Sequence, residues 1–192
     1  MITLQNLSEA RARGGRNGAA APRLYIRSIL PSDADALQAA FMQLSEQSRY
    51  FRFHSPLRRL PDRLLHDLTH VDGIDHVALV AFEVREGQPA NGVAVARFVR
   101  NPAAPSTAEL AITVADAAQG HGVGRRVLRA LAARAADRGI ETFTMIVLSG
   151  NQRVRHLLTG LGATYQQREA DVLTLRVPVR ALLEPHPLAA AA

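Results

Sequence analysis

The sequence predicts an α/β domain, and three observations carry that expectation. The chain has 192 residues, 47% of them hydrophobic, enough for one folded unit with a full core. Strand-like and helix-like patterns alternate along it, with no internal repeat. A long apolar stripe of Val123, Val127, Leu128, Leu131 and Ala135 follows directly on a strand and a glycine-rich turn.

Residues 23–29 read as a first strand. Pro31, Ser32 and Asp33 mark a helix start, with proline and acid in the first turn. Leu37, Phe41 and Leu44 follow at helical spacing, with Ala40 beside them. Pro61 opens a second helix carrying Leu64, Leu65 and Leu68. Residues 76–84 and 92–99 are two strands around the turn-forming Glu86-Gly87-Gln88-Pro89. Residues 109–114 form another strand. The long helix runs over 122–138 and stops at Gly139. A strand over 141–148, a helix over 151–161 and a strand over 172–177 complete the order β, α, α, β, β, β, α, β, α, β. The expected organisation is a flexible tail over 1–22, rich in Arg, Gly and Ala, one domain over 23–180, and a tail over 181–192.

Composition removes several function classes. There is no cysteine, which excludes disulfides, thiolate metal sites and a thiol nucleophile. No apolar run is long enough to span a bilayer, and residues 1–22 lack the apolar segment of a secretory signal. A cytoplasmic location with no membrane partner fits. The net charge is +6, and all 23 basic residues are Arg, which favours anionic partners. With no Lys, the chain cannot be acetylated on its own lysines. His66 and His70 stand four apart on a predicted helix, but neither His54 nor His76 gives a spacing that secures a third ligand, so no metal is expected.

The segment Gln119-Gly120-His121-Gly122-Val123-Gly124-Arg125 is the most informative. A glycine-rich turn at a helix start exposes free backbone N–H groups at the positive end of the helix dipole. That is an anion site suited to a pyrophosphate, and glycine lets the backbone approach the phosphates. The spacing is not that of a Walker loop, which needs a lysine, nor the G-x-G-x-x-G of a dinucleotide fold.

The order of elements, together with Gln119, Gly122 and Gly124, resembles the GNAT superfamily of N-acetyltransferases and its motif Gln/Arg-x-x-Gly-x-Gly/Ala. Ser149-Gly150-Asn151, followed by Val154, Leu157 and Leu161-Gly162, is similar to the family's second conserved segment. Ser48-Arg49-Tyr50-Phe51-Arg52-Phe53-His54-Ser55-Pro56, the strand from His76 and the run Gly92 to Arg97 narrow the resemblance to the acetyltransferase domain of bacterial protein-lysine acetyltransferases. The resemblance implies a GNAT fold, a central mixed but mostly antiparallel twisted sheet flanked by helices. It implies acetyl-CoA as co-substrate. Gln119, Gly120, His121, Gly122, Val123, Gly124 and Arg125 would hold its pyrophosphate, backbone groups of Ile112 and Val114 its pantetheine arm, and Asn151 the arm or the acceptor side.

The implied chemistry is direct attack of an amine on the thioester carbonyl. A lysine amine has a pKa of ~10.4, so about one in 2,500 is neutral at pH 7, and a base must take the proton. Glu109 stands where similar lysine acetyltransferases place that base, and apolar neighbours shift a carboxyl toward neutrality. The family's tyrosine acid is missing, because Leu158 occupies its position. The thiolate then leaves unaided, which a thiol pKa of about 8.5 tolerates, or another group serves; Tyr165 is nearby, but its place after Gly162 suggests strand packing.

The expected acceptor is a protein lysine. A small amine such as a polyamine, amino acid or antibiotic is the alternative, and a non-catalytic acyl-CoA-binding regulatory module a third reading. Acceptor specificity is expected in loops over 50–62 and 164–171. Nucleic acid is not an expected partner, since no such motif accompanies the basic charge. A homodimer is compatible with everything above.

Overall fold

The computed structural model describes residues 23–87 and 90–184. The tail over 1–22, most of the tail over 181–192 and two residues of the 86–89 turn lie outside the described residues. Seven strands form one sheet: β1 (Arg23–Ser28), β2 (His76–Val84), β3 (Asn91–Arg100), β4 (Thr107–Val114), β5 (Thr142–Leu148), β6 (Thr164–Glu169) and β7 (Val172–Pro178). Their spatial order is β1-β2-β3-β4-β5-β7-β6. Every pairing is antiparallel except β4 with β5. That parallel step needs a crossover, supplied by the helix α4 (Val123–Ala136).

Period-two patterning divides the sheet into two faces. Val77, Phe98 and Leu110 stand in register, as do Leu79, Ala96 and Ile112. All six are buried in the main core with Val127, Leu128 and Leu131 of α4. The helices α5 (Gln152–Thr159) and α6 (Val179–Leu183) cover the same face, burying Leu158 and Leu182. The other face carries α1 (Ala34–Gln43), α2 (Glu46–Phe53) and α3 (Asp62–Thr69). There Phe41, Leu44, Leu60 and Leu68 form a smaller cluster. Arg27 of β1 ties the entry to α1 by donating to both carboxylate oxygens of Asp33, each at 2.7 Å. Burial alone would raise the Asp33 carboxyl, but Arg27 and the Leu30 amide outweigh it and hold it below its ordinary value.

Three elements differ from the sequence-based expectation. Residues 50–53, expected within a loop over 50–62, belong to the helix α2 (Glu46–Phe53), started by Ser45, whose hydroxyl accepts from the Ser48 amide. Residues 164–169, also expected as loop, are the edge strand β6, exposed along its whole length and paired to β7. The tail expected from 181 begins inside α6, where Leu182 packs into the core. Hydrophobic side chains needed cover past residue 180, so the folded unit runs on to the end of the described chain at 184.

Phe98 and Phe143 are fully buried, their ring centroids 5.8 Å apart, on strands either side of β4. Phe143→Ala is expected to destabilise the fold by about 3–5 kcal/mol, read as a shift in the denaturant midpoint with unchanged slope.

Candidate active site and cofactor cleft

The parallel pair β4–β5 is short. Only Thr107, Ala108 and Glu109 of β4 have partners on β5, namely Thr142, Phe143 and Thr144. Beyond Glu109 the strands part, and Leu110 to Val114 face Met145 to Leu148 across a split that opens toward the strands' C-terminal ends. The Ala115 amide donates to Val93 on β3. By alternation the main-chain groups of Ile112 and Val114 then point the opposite way, into the split. Ala108 obeys the same alternation, its carbonyl accepting from Thr144 Oγ1 on β5. The Val114 carbonyl there accepts from Gln119 Nε2, and an edge whose other N–H and C=O groups face a gap suits a ligand that carries amides of its own.

The glycine turn lies at the mouth of this split. Gly120 and Gly122 have φ of +80° and +75°, which side chains strain to adopt. Gly122 is the N-cap of α4 and brings no capping side chain. The amides of Val123, Gly124 and Arg125 form its first turn, where no helical carbonyl can reach them. His121 is exposed and, with Val123 and Arg126, lines a cavity of about 480 Å³ beside the turn. A helix tip with small residues and positive charge fits a pyrophosphate.

Two residues of the motif act differently from the sequence expectation. A Cβ on Gly124 would lie 3.3 Å from Leu157 Cδ2 and 3.5 Å from Val114 Cγ2. Its smallness therefore lets α4 approach α5 and β4, and does not open space for a phosphate. Arg125 contributes its amide to the helix tip, but its guanidinium lies near Gly160, at the C-terminal end of α5, where a cation is favoured.

Gln119 is built into a network. Its Nε2 donates to the Val114 carbonyl at 3.0 Å and to Asp116 at 3.2 Å, and its Oε1 accepts from Arg153 of α5. The bond to Arg153 bridges the two sides of the split. Asn151 caps α5, its Oδ1 accepting from the Val154 amide at 3.3 Å. Asp116 also fixes α2 from below. It accepts from the Ser45 amide at 2.7 Å and from the Ser48 hydroxyl. Phe51 of α2 lies against Gly150 on the β5 side. Thus α2 spans the split from the β4–α4 connection to the β5–α5 connection. Neither Asp116, Ser45 nor Arg153 was read from the sequence as a site residue. The capping signal of Ser45 followed by Glu46 was the available clue.

Glu109 is the last paired residue of β4, at the closed end of the split. It is exposed, in register with Val99 on β3 and Thr144 on β5. Val99 and Ile146 on the same face are 45% and 49% exposed, so the floor around the carboxylate is open and apolar. Arg52 of α2 lies close enough for the two charges to interact. On β3, Arg97 is 6% exposed and donates to the Leu68 carbonyl at 3.0 Å and to His76 Nε2 at 3.1 Å. Burial first, and then the neighbouring Arg52 charge, push the Arg97 guanidinium down to about 9. Burial and Arg97 together lower His76, which keeps its imidazole neutral and able to accept. Leu158 is fully buried in the core, so the helix offers no hydroxyl there. Tyr165 is in register with buried Leu175, on the face opposite Glu109, and its hydroxyl accepts from Arg155 at 3.1 Å. It cannot serve a reaction at Glu109. His66 and His70 stack with centroids 3.8 Å apart, and among the described residues no group of three or more metal-ligating side chains forms.

The model of the acetyltransferase (GNAT) domain family matches residues 23–164. The chain belongs to the GNAT acetyltransferase family. Members of this family take acetyl-CoA as co-substrate, and the split sheet with its glycine turn fits that carrier. The chain is 34% identical over 155 residues to the acetyltransferase Pat of Mycolicibacterium smegmatis, covering 81% of this chain and 45% of the relative. It spans less than half of that relative's length. The GNAT domain of PAT from S. lividans superposes with a TM-score of 0.74 at 30% identity, over 84% of this chain and 96% of the other. A cAMP-binding acyltransferase from Mycobacterium smegmatis superposes with a TM-score of 0.56 at 32% identity, over 83% of this chain and 46% of the other. Among the described residues of this GNAT domain, no helix is long and apolar enough to cross a membrane.

Two outcomes test the cleft. Gly124→Val should lower the melting temperature, costing about 1–3 kcal/mol by overpacking against Leu157 and Val114. Burial would raise the Asp116 carboxyl, but donation from Ser48 and Ser45, with Arg153's charge, holds it below its ordinary value. Its contribution is therefore complete above about pH 4 and is lost as pH falls through the lower folded value. Hydrogen exchange from α2, measured relative to α4, should accelerate on acidification in the wild type. In Asp116→Asn it should already be fast at neutral pH, and an α2 equally protected in both proteins removes Asp116 as its anchor.

Proposed function

We propose that this chain moves an acetyl group from acetyl-CoA to the amine of a protein lysine, with Glu109 as general base. The observation that carries the reading is the position of Glu109, at the point where β4 and β5 part. When bound, the carrier supplies the activated acetyl thioester. The amides of Gly122, Val123, Gly124 and Arg125 would hold its diphosphate, with Gly120 and His121 completing the turn. The main-chain groups of Ile112 and Val114 would align its arm, and Gln119, Arg153 and Asn151 would border the entry. A carrier held along β4 would end beside Glu109, whose carboxylate takes a proton from the incoming ammonium, directly or through water. Neither Leu158, in the core, nor Tyr165, on the far face, would supply a proton to the leaving thiolate.

The open floor favours a protein acceptor. A small amine is usually enclosed by its pocket, whereas Val99 and Ile146 beside Glu109 are half exposed, a surface on which a peptide segment can lie. Glu109→Gln is expected to lower kcat/KM by about 100-fold or more while CoA affinity stays within twofold by calorimetry. An unchanged rate removes Glu109 as the base. Rapid turnover of one small amine, with proteins left unlabelled, removes the lysine acceptor. Binding of CoA with no thiol release against any amine would make the chain a non-catalytic module.

A further inference from the structure

Two guanidinium groups, those of Arg52 and Arg97, stand beside Glu109 with no carboxylate paired to either among the described residues. Arg97 is buried and hydrogen-bonded only to neutral groups, the Leu68 carbonyl and His76. Arg52 stands near enough to repel it. Among the described residues neither guanidinium is in an ion pair. Arg52 lies over the Phe53 ring, 4.8 Å from its centroid, which contacts a π face but satisfies none of its in-plane N–H donors. The carboxylate that feels Arg52 is Glu109, and in the proposed reaction that carboxylate becomes neutral as it takes a proton.

The charge count then restricts the acceptor. Arg52, Arg97 and Glu109 sum to +1. A simple ammonium raises the total to +2, in a site where one guanidinium is already out of water. A polyamine raises it further. An acceptor that brings a carboxylate with its ammonium leaves the sum at +1, and supplies an acceptor for the free N–H groups of Arg52. Charge-assisted bonds of this kind, planar carboxylate on guanidinium, are among the stronger ones.

We propose that Arg52, backed by the buried charge of Arg97, is an anion subsite that selects acceptors carrying a carboxylate close to the reacting amine. This rests on Glu109 marking the acceptor site. The carboxylate comes either from an acidic residue flanking a target lysine or from a free amino acid or short peptide with its own carboxyl group. Polyamines are poor acceptors.

The test uses the full chain with acetyl-CoA and four kinds of acceptor: a lysine peptide with an adjacent Asp or Glu, the same peptide with Asn or Gln, free amino acids, and spermidine. The acidic peptide is expected to exceed its amide counterpart in kcat/KM by about tenfold in the wild type. The ratio should fall to about twofold or less in Arg52→Gln and recover in part in Arg52→Lys. The preference should also shrink as salt rises. Free amino acids outpacing the acidic peptide would identify the small-molecule source. Equal rates for the two peptides in the wild type overturn the subsite, as does an equal preference in Arg52→Gln whose melting temperature matches the wild type. Calorimetry of the same two peptides on the CoA-loaded protein gives a readout independent of chemistry. If no acceptor turns over, the reading of Glu109 is lost, yet tighter binding of the acidic peptide that disappears in Arg52→Gln still supports the subsite. Equal binding of both peptides overturns it.

Discussion

The parallel pair between β4 and β5 holds for three registers and then lets go. Parallel strands normally stay zipped between covering helices, and here the release leaves main-chain groups of Ile112 and Val114 facing an open split. The glycine turn, Gln119 and Glu109 are arranged around that release. The helix that makes the parallel connection begins at the mouth, so its exposed amides and the opened strand edge belong to one continuous backbone surface. Glu109 sits at the other end, where the ladder closes. A single departure from regular pairing thus creates a line with a helix N-terminus at one end and a carboxylate at the other.

The supports of this line come from both faces of the sheet. On one face α4 and α5 close on each other through Gly124 and Leu157, which fixes the helix tip relative to β4. On the other, α2 reaches across the split, tied by Ser45 and Ser48 to Asp116 and resting by Phe51 on Gly150. The charged residues near Glu109 follow the same division. Arg97 rises from β3 and Arg52 descends from α2, so the electrostatics of the floor depend on how α2 is seated.

Much of this was legible in the sequence for a plain reason. The strands of the main core alternate or run apolar, α4 carries an unbroken stripe, and the glycine turn sits between them, so periodicity and turn chemistry agree. The two missed elements lacked that agreement. Residues 164–169, Thr-Tyr-Gln-Gln-Arg-Glu, show no period-two hydrophobicity because the strand is exposed throughout. Residues 46–53 are short and polar, and α2 is held by its cap and by Asp116, a partner 71 positions away. The glycine motif reads as a helix tip in the sequence and is one in the structure, but the packing role of Gly124 was not legible. Only the packing shows that Gly124 faces Leu157, or that the Arg125 side chain turns toward Gly160. The closeness of Arg52 and Arg97 to Glu109 depends on strand register and on the seat of a helix, neither of which leaves a local signature.

A split that ends at a hydrogen-bonded pair has a fixed depth. The gap between β4 and β5 closes at the pair Glu109 and Thr144, and its floor lies there whatever enters from the other end. The closed seam works as a ruler, whose zero mark is set by backbone pairing and whose length is the five residues from Leu110 to Val114. Past that seam β4 and β5 leave no gap between them, and the only open ground beside it is the sheet face that carries Val99 and Ile146.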